Sequence, residues 1–361
     1  MRASVAMGGY GRRRAARVLL ALATLTVAGL LAAPTRAQIP PAPEPLNVPK
    51  PHEVKSRIPP TATARSDIVE FDGSPFPYRG VNPYSQRPFM DVKAEDGRLG
   101  HSSRGGVLWE DRTFSDSRVL MHMPQGFDVR RPGVIIVFLH GNRANIQDDV
   151  LHRQRVAEQV NASHINGVLL APQLAVNASD SSAGKFWEPY GFSKFLGEAA
   201  QHLARLRGDP KSRTTFMTMP VIVVAYSGGY VPAAWSLAKG GVERRIIGVV
   251  LLDALYGEGE KYAEFIKRRR HAFFISSYTS STQRGNEALK ELLAERNIAV
   301  EESSTRLPAR LTGRVAFLPA MKGANHNDFV TRAWTEFPIR DVLDRLVQYR
   351  RIEGRRLEAR N

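Results

Sequence analysis

One serine of this chain stands in a sequence context that would make it a nucleophile. Ser227 is the central residue of the pentapeptide Ala-Tyr-Ser-Gly-Gly, which follows the apolar run 219–224 and opens a segment that carries alanine and leucine. A buried strand, a tight turn around one serine and a helix form a nucleophile elbow, in which the residues two before and two after the serine must be small. Ala225 and Gly229 meet this condition. We therefore predict that the Ser227 hydroxyl lies above a sheet edge, beside the Gly228 N–H at a helix start, where an oxyanion would be held.

A nucleophilic serine needs a base to take its proton, and histidine is the usual base. His326 lies between the last strand-like run, 315–318, and the C-terminal helical segment. Of the nine histidines, it alone has this placement. We therefore predict that His326 is the base.

The base in turn needs a carboxylate that orients its ring. Asp253 directly follows the apolar run 246–252, the first strand-like run after the elbow, so its side chain should emerge at the same sheet edge as Ser227. The segment 276–283, which follows the next strand, contains no carboxylate. We predict Asp253 as the acid, and the competing candidates are Asp328, Glu258 and Glu260. A helix N-cap is the structural alternative for Asp253.

Further site residues are expected around the elbow. His140, Gly141 and Asn142 follow the apolar run 134–139, and a backbone N–H of Gly141 or Asn142 would pair with that of Gly228 in an oxyanion hole. His140, Tyr226 and Trp187 are the predicted substrate contacts. Trp187 lies in the segment 172–190, for which the alternative is a packed surface loop. Asp180 and Glu188 in that segment match no calcium-loop spacing, so no metal and no cofactor are predicted.

Apolar runs alternate with longer amphipathic segments from about Asp67 onward, which predicts one α/β domain with a doubly wound, mostly parallel sheet of about eight strands. The predicted strands are 106–109, 118–123, 134–139, 168–171, 221–225, 246–252, 273–275 and 315–318. The predicted helices are 147–160, 192–206, 230–238, 262–269, 287–296 and 339–352. Binding residues of such a sheet cluster beyond the carboxyl ends of the strands.

Together these motifs resemble the α/β-hydrolase superfamily across roughly residues 105–350. The resemblance implies that Ser227, Asp253 and His326, in this chain order, are the catalytic triad, and that His140-Gly141 belongs to the oxyanion loop. The stretch Met-Pro-Gln-Gly-Phe at 123–127 also resembles secreted polyester depolymerases and feruloyl-type esterases. Two departures are the Ala225 that replaces the usual first glycine of the elbow, and an acid that follows the strand directly after the elbow.

The N-terminal residues have a different character from the rest of the chain. Residues 1–37 carry an arginine cluster, an uncharged run from Val18 to Pro34 and a small-residue cleavage site, which predicts a signal peptide. The proline-dense residues 38–66 predict a linker, and residues 67–361 the hydrolase domain. The protein is then exported, periplasmic or secreted, and would be anchored in the membrane if the segment is not cleaved.

The chain is strongly basic, with 51 Lys and Arg against 35 Asp and Glu and a formal net charge of +16. Six of the arginines lie in residues 1–37, so the domain itself is less basic. The charge would favour weak contact with an anionic membrane or envelope surface. No nucleic-acid partner is predicted, because no basic motif interleaved with aromatic residues occurs. Cysteine is absent, which excludes disulfides, thiolate metal sites and cysteine-linked lipid anchors.

These features predict an exported serine hydrolase that cleaves a small-molecule or polymeric carboxylic ester through an acyl-enzyme intermediate. Two alternatives remain open from the sequence. One is an acyltransferase or peptidase that uses the same triad, and the other is a noncatalytic α/β envelope-binding protein.

Overall fold

The computed structural model describes residues 58–302 and 306–351, so the predicted signal peptide lies outside the described residues. The described strands are β1 (Arg65–Glu70), β2 (Val81–Asn82), β3 (Arg87–Pro88), β4 (Val92–Lys93), β5 (Leu99–Ser103), β6 (Gly106–Trp109), β7 (Arg118–Met123), β8 (Val134–Leu139), β9 (Gly167–Pro172), β10 (Val221–Tyr226), β11 (Ile246–Leu252), β12 (Phe273–Tyr278), β13 (Glu301–Glu302) and β14 (Val315–Pro319).

Nine of these strands form one sheet in the order β1-β7-β9-β8-β10-β11-β12-β14-β13. The pairs from β9 onward are parallel, and the two pairs made by β7 are antiparallel. The predicted doubly wound, mostly parallel α/β architecture is therefore confirmed. The central strands β8, β10 and β11 are adjacent, so the residues that follow them meet at one edge of the sheet.

Two hydrophobic cores cover the two faces of this sheet. Along β8, Ile135, Val137 and Leu139 belong to one core, whereas the residues between them, Val134, Ile136 and Phe138, belong to the other. This alternation is the two-residue period of a strand, with both faces apolar. It explains why the strands of the middle of the sheet read as uninterrupted apolar runs.

Helices lie on both faces of the sheet. Within the described residues they are α1 (Glu110–Thr113), α2 (Val156–Ala162), α3 (Gly191–Arg207), α4 (Arg213–Thr218), α5 (Tyr230–Lys239), α6 (Gly259–Arg268), α7 (Gln283–Glu295) and α8 (Pro338–Asp344), with a π-helix at Ile146–Arg153. Short 3₁₀ turns occur at Gly184–Trp187, Pro210–Ser212, Ser227–Gly229, Glu243–Arg245, His326–Asp328 and Val347–Tyr349.

Two predicted helices differ from the observed ones. The predicted helix 147–160 is divided into the π-helix and α2, because Arg155 between them has a left-handed backbone with φ 53°. The predicted helix 339–352 ends at Asp344, and a 3₁₀ turn follows. The residue types at these two positions do not predict that a helix ends there.

The N-terminal part of the domain also differs from the prediction. Gly106–Trp109 is a strand, but it belongs to a separate three-stranded sheet with β4 and β5. The edge strand β1 begins at Arg65, inside the predicted linker, and Thr61 is already buried, with its hydroxyl donating to the Pro124 carbonyl at 2.6 Å. The described end of the linker segment is therefore packed on the domain.

No helix in the described ranges is both long and apolar enough to cross a membrane.

Candidate active site

Ser227 occupies the sharp turn between β10 and α5 and has a positive φ of 49°. A positive φ is rare for a non-glycine residue and marks a backbone that the surrounding fold holds under strain. Gly229 makes the turn possible, since a Cβ there would lie 2.3 Å from the Leu139 carbonyl oxygen at the end of β8. The elbow therefore has the strand, turn and helix that its sequence predicts.

This contact gives a stability prediction with an internal control. Gly229→Ala should destabilise the protein by about 1–3 kcal/mol, because the backbone at the end of β8 must move to admit the methyl group. Gly197 lies inside α3, and a Cβ added there would have no atom within 4 Å, so Gly197→Ala should stabilise by about 0.5–1 kcal/mol. Urea unfolding measures both free energies. Equal effects at the two positions would show that the turn is not sterically constrained.

Three side chains meet beyond the strand ends. The Ser227 hydroxyl and His326 Nε2 are 2.9 Å apart, although the two residues are 99 positions apart in the chain. On the other side of the ring, His326 Nδ1 donates to Asp253 Oδ2 at 2.7 Å. With its Nδ1 donating to the carboxylate, the neutral ring presents Nε2 as an acceptor for the serine proton. The His326 side chain is 32% exposed, so the arrangement is open to a substrate.

Asp253 is fully buried, but four hydrogen bonds surround its carboxylate. The donors besides His326 are the Thr279 N–H at 2.9 Å, the Thr279 hydroxyl at 2.8 Å and the Thr282 hydroxyl at 2.5 Å. Burial by itself would raise the pKa of Asp253, but these hydrogen bonds outweigh it and hold the pKa below its ordinary value. The carboxylate is therefore ionised at neutral pH.

The two threonines are site residues that the sequence did not single out. They belong to the segment 276–283, which contains no carboxylate and therefore offers no candidate acid. Its run of Ser and Thr directly after β12 is the signal that would have found them, because hydroxyl donors at a strand end suit a neighbouring buried carboxylate.

The competing acids have other partners. The Asp328 carboxylate accepts from the Asn325 side chain at 2.6 Å. Glu258 pairs with Lys261 at 2.5 Å and Glu260 with Arg296 at 2.6 Å. Of these four carboxylates, Asp253 is the one that the structure brings to His326.

The predicted oxyanion residues lie against the elbow. A Cβ at Gly141 would be 2.7 Å from Ser227 Cβ, and a Cβ at Gly228 would be 1.9 Å from Asn142 Oδ1. Only glycines at these two positions allow the loop after β8 to approach the serine so closely. The use of their N–H groups, and of that of Asn142, to hold an oxyanion stays a prediction.

The three predicted substrate contacts are buried, and their contact with a substrate stays a prediction. His140, Tyr226 and Trp187 are exposed by only 1%, 4% and 4%, respectively, and each is engaged by neighbouring protein groups. Trp187 packs against Tyr84, whose ring lies edge-on at 6.2 Å, and belongs to an aromatic cluster. Tyr226 stacks on the His326 ring at 5.2 Å and its hydroxyl donates to the His326 carbonyl at 2.8 Å. In this structure all three side chains pack against other protein groups.

His140 ties the loop after β8 to the segment that follows the neighbouring strand β9. Its Nδ1 donates to the Gly141 carbonyl at 2.8 Å, and its Nε2 accepts from the Leu174 N–H at 2.9 Å. Burial lowers the pKa of His140 to about 4, so the ring stays neutral and holds both bonds at neutral pH. His140 therefore positions the loop that carries Gly141 and Asn142.

Buried histidines predict an acid-sensitive fold. Burial also lowers the pKa of His122 to about 4, whereas both rings would protonate near their ordinary pKa of 6.5 once unfolded. Because the unfolded chain then binds more protons, the stability is complete above about pH 6.5 and falls by roughly 3 kcal/mol per histidine as the pH drops towards 4. Urea unfolding between pH 7 and 4 measures this slope, and His122→Leu should remove its share. A free energy of unfolding that is constant between pH 6.5 and 4.5 would contradict the prediction.

Arg153 and Tyr256 are further residues near His326 that the sequence did not indicate. An Arg153 N–H donates to the Asn327 carbonyl at 2.7 Å and ties the π-helix to the loop that carries His326. The Tyr256 ring lies edge-on to the His326 ring at 6.3 Å and is 47% exposed. The residue types of Arg153 and Tyr256 do not predict these contacts, because the contacts depend on the tertiary arrangement.

Two clefts are lined by residues that contact the neighbourhood of Ser227, His326 or Asp253. One, of about 830 Å³, has Ser181 in its lining, and the Ser181 hydroxyl donates to Asn142 Oδ1 beside Gly228. The other, of about 410 Å³, is lined by Tyr256 and by Thr282, whose hydroxyl donates to Asp253.

The doubly wound sheet, the strand–serine–helix elbow and the chain order serine, aspartate, histidine define the α/β-hydrolase fold. The family resemblance noted in the sequence agrees with this fold.

Comparisons with known proteins give structural similarity only. No protein-family model matches the chain, and no curated protein matches its sequence. The chain is similar to the feruloyl esterase module from Clostridium thermocellum at 13% identity and a TM-score of 0.41, over 78% of this chain and 96% of that one. It is similar to a ferulic acid esterase at 8% identity and a TM-score of 0.43, over 78% of this chain and 99% of that one. It is also similar to an S-formylglutathione hydrolase from Agrobacterium tumefaciens at 11% identity and a TM-score of 0.40, over 71% and 95%. Similarities this weak decide nothing about the activity of this chain.

Proposed function

We propose that this protein is a serine hydrolase that cleaves carboxylic esters, with Ser227 as the nucleophile, His326 as the base and Asp253 as the acid of a catalytic triad. The observation that carries the proposal is the hydrogen-bonded series Ser227–His326–Asp253, with distances of 2.9 Å and 2.7 Å, at an elbow with positive φ.

In the proposed reaction, Ser227 Oγ attacks the ester carbonyl carbon while His326 Nε2 takes the hydroxyl proton. The buried Asp253 carboxylate stabilises the imidazolium through its bond with Nδ1. The carbonyl oxygen becomes an oxyanion, held by the N–H of Gly228 together with that of Gly141 or Asn142. When the tetrahedral intermediate collapses, His326 gives the proton to the leaving alcohol, and water then releases the acyl group by the same steps.

A serine-directed fluorophosphonate tests the nucleophile directly. The protein should become covalently labelled at Ser227, and the label should be absent from Ser227→Ala and should be prevented by prior incubation with a hydrolysable ester. A protein that takes no label and cleaves no ester would instead fit the noncatalytic binding role.

Acyl transfer and peptide cleavage would use the same three residues. Product analysis separates them from hydrolysis, since an added alcohol or amine acceptor would appear in the product of a transferase, and a peptide substrate would be cut by a peptidase. We propose hydrolysis, because the His326 ring is exposed enough for water to reach the acyl enzyme.

Export is the second part of the proposal and rests on residues 1–37. Their arginine cluster, uncharged run and small-residue end fit a cleaved signal peptide, which would place the enzyme in the periplasm or outside the cell. N-terminal sequencing of the protein recovered from each cell fraction tests this. A start at residue 38 outside the cytoplasm is expected, and an intact N-terminus in the membrane fraction would indicate an anchor.

A further inference from the structure

The lining of the larger cleft includes Ser181, which contacts the loop that lies against the elbow. Asn142 Oδ1 and the Ser181 hydroxyl both lie against Gly228, at 1.9 and 2.8 Å from the position of a Cβ there. Ser181 also lines the cleft, which has a volume of about 830 Å³ and extends to the hairpin of β5 and β6. This volume is typical of a site for a small-molecule ligand. Ser181 and Asn142 thus connect the lining of this cleft to the residue that follows Ser227.

Two arginines line this cleft and give it positive charge. Arg104 lies in the turn between β5 and β6, and Arg112 lies in α1. In the part of the chain that the structure describes, neither guanidinium forms an ion pair or a hydrogen bond with a protein group. Both side chains belong to exposed residues, so their charge is available to a ligand.

Nearby arginines behave differently. Arg98 pairs with Asp96 at 2.7 Å, and Arg118 pairs with Asp116 at 2.6 Å. Asp111 is adjacent to Arg112 in sequence but lines a separate cleft. Arg98 and Arg118 are thus neutralised by carboxylates, whereas within the described ranges the two arginines of this cleft are not.

The negative charge in the lining of the cleft does not neutralise the charge of both arginines. Asp180 is the carboxylate in the lining; its side chain is only 10% exposed and its Oδ1 accepts from the Ser182 N–H at 2.8 Å. Its Oδ2 faces His101 Nε2 at 4.0 Å. The lining therefore keeps an excess of positive charge, and it also includes Ser103, Ser179 and Ser181.

We propose that this cleft is a subsite for an anionic group of the ester substrate, a carboxylate or a phosphate, placed several bonds away from the scissile carbonyl. Arg104 and Arg112 bind the anion, because guanidinium groups recognise carboxylate and phosphate oxygens through paired N–H donors. This inference rests on the proposed function and assigns its substrate class: acidic esters in preference to neutral ones.

The test compares matched ester pairs. One series is 4-nitrophenyl monoesters of α,ω-dicarboxylic acids of increasing length, each against the neutral acyl ester of the same length. A second series places a carboxylate or a phosphate on the alcohol part of a butyrate ester, against the uncharged alcohol. The two series distinguish on which side of the carbonyl the anion lies, and the second distinguishes carboxylate from phosphate.

The measured quantity is the ratio of kcat/KM for the anionic ester to that for its neutral partner. In at least one series, the wild-type ratio should exceed one at a defined length and decrease with added NaCl, because salt screens the arginines. Arg104→Gln combined with Arg112→Gln should lower the ratio by about tenfold or more. Arg213→Gln is the matched control, since Arg213 is an exposed arginine in α4, which precedes the opposite end of β10. Its ratio should equal that of the wild type.

The outcomes separate the two proposals. If neutral esters are hydrolysed in a Ser227-dependent manner but the ratio never exceeds one, or is unchanged in the double variant, the subsite is wrong and the proposed function stands. If no ester of either kind is hydrolysed, the proposed function fails and the subsite fails with it. Thermal unfolding of the double variant verifies that any change in ratio belongs to a folded protein.

Discussion

Ser227→Ala should abolish ester hydrolysis and leave the fold intact. In one serine protease the loss of the nucleophile lowers kcat by about 10⁶-fold, because the base and the acid have no hydroxyl left to activate. The side chain of Ser227 makes one hydrogen bond among the described residues, to His326 Nε2, so its removal leaves the exposed ring free to bond with water. We therefore expect a change in unfolding free energy within about 1 kcal/mol.

The strained backbone at Ser227 also predicts a difference in stability between two inactive variants. Alanine at φ 49° carries the same strain as serine, whereas glycine does not, so Ser227→Gly should be more stable than Ser227→Ala by about 1 kcal/mol. Both variants should be inactive. Activity is measured with 4-nitrophenyl butyrate and stability by urea unfolding. The exposed Ser280 provides a control, and Ser280→Ala should be as active as the wild type. Ester hydrolysis by Ser227→Ala at the wild-type rate would refute the nucleophile.

The sequence predicts the middle of the sheet well because these strands are buried on both faces. Runs such as 134–139 and 246–252 contain no polar residue and coincide with β8 and β11. Edge strands carry no such signal. In β1, only Ile68 and Val69 are apolar, since one side of an edge strand meets solvent. The prediction for 106–109 is right as a strand and wrong as part of the central sheet, because composition does not specify which strands pair.

The sequence predicts those parts of the site whose position follows from the order of the strands along the chain. Residues that follow adjacent parallel strands must meet at one edge, which is why Ser227, Asp253 and the loop after β8 are found together. Residue type alone, by contrast, does not predict whether such a side chain is buried. His140, Tyr226 and Trp187 have side chains suited to binding, yet tertiary packing encloses all three. Thr279 and Thr282 are ordinary loop residues in sequence, and they become part of the site only because a buried carboxylate faces them.

Asp253→Asn is the second substitution with a very large expected effect. The amide is nearly the size of the carboxylate, so the cavity stays filled, but an amide can donate a hydrogen bond to His326 Nδ1. The ring would then carry its proton on Nε2 and could not accept the serine proton. In a serine protease, the corresponding substitution lowers kcat by about 10⁴-fold for this reason.

The competing acids serve as controls for this substitution. Glu260 lies in the following helix and pairs with Arg296 at the surface, so Glu260→Gln should alter kcat by less than about twofold. Asp328→Asn should behave in the same way, because Asp328 bonds to Asn325 rather than to the ring. The kcat for 4-nitrophenyl butyrate at neutral pH decides between them. If Asp253→Asn retains most of its activity while Asp328→Asn loses it, the acid lies on the histidine loop, and the contact between Asp253 and His326 is only structural.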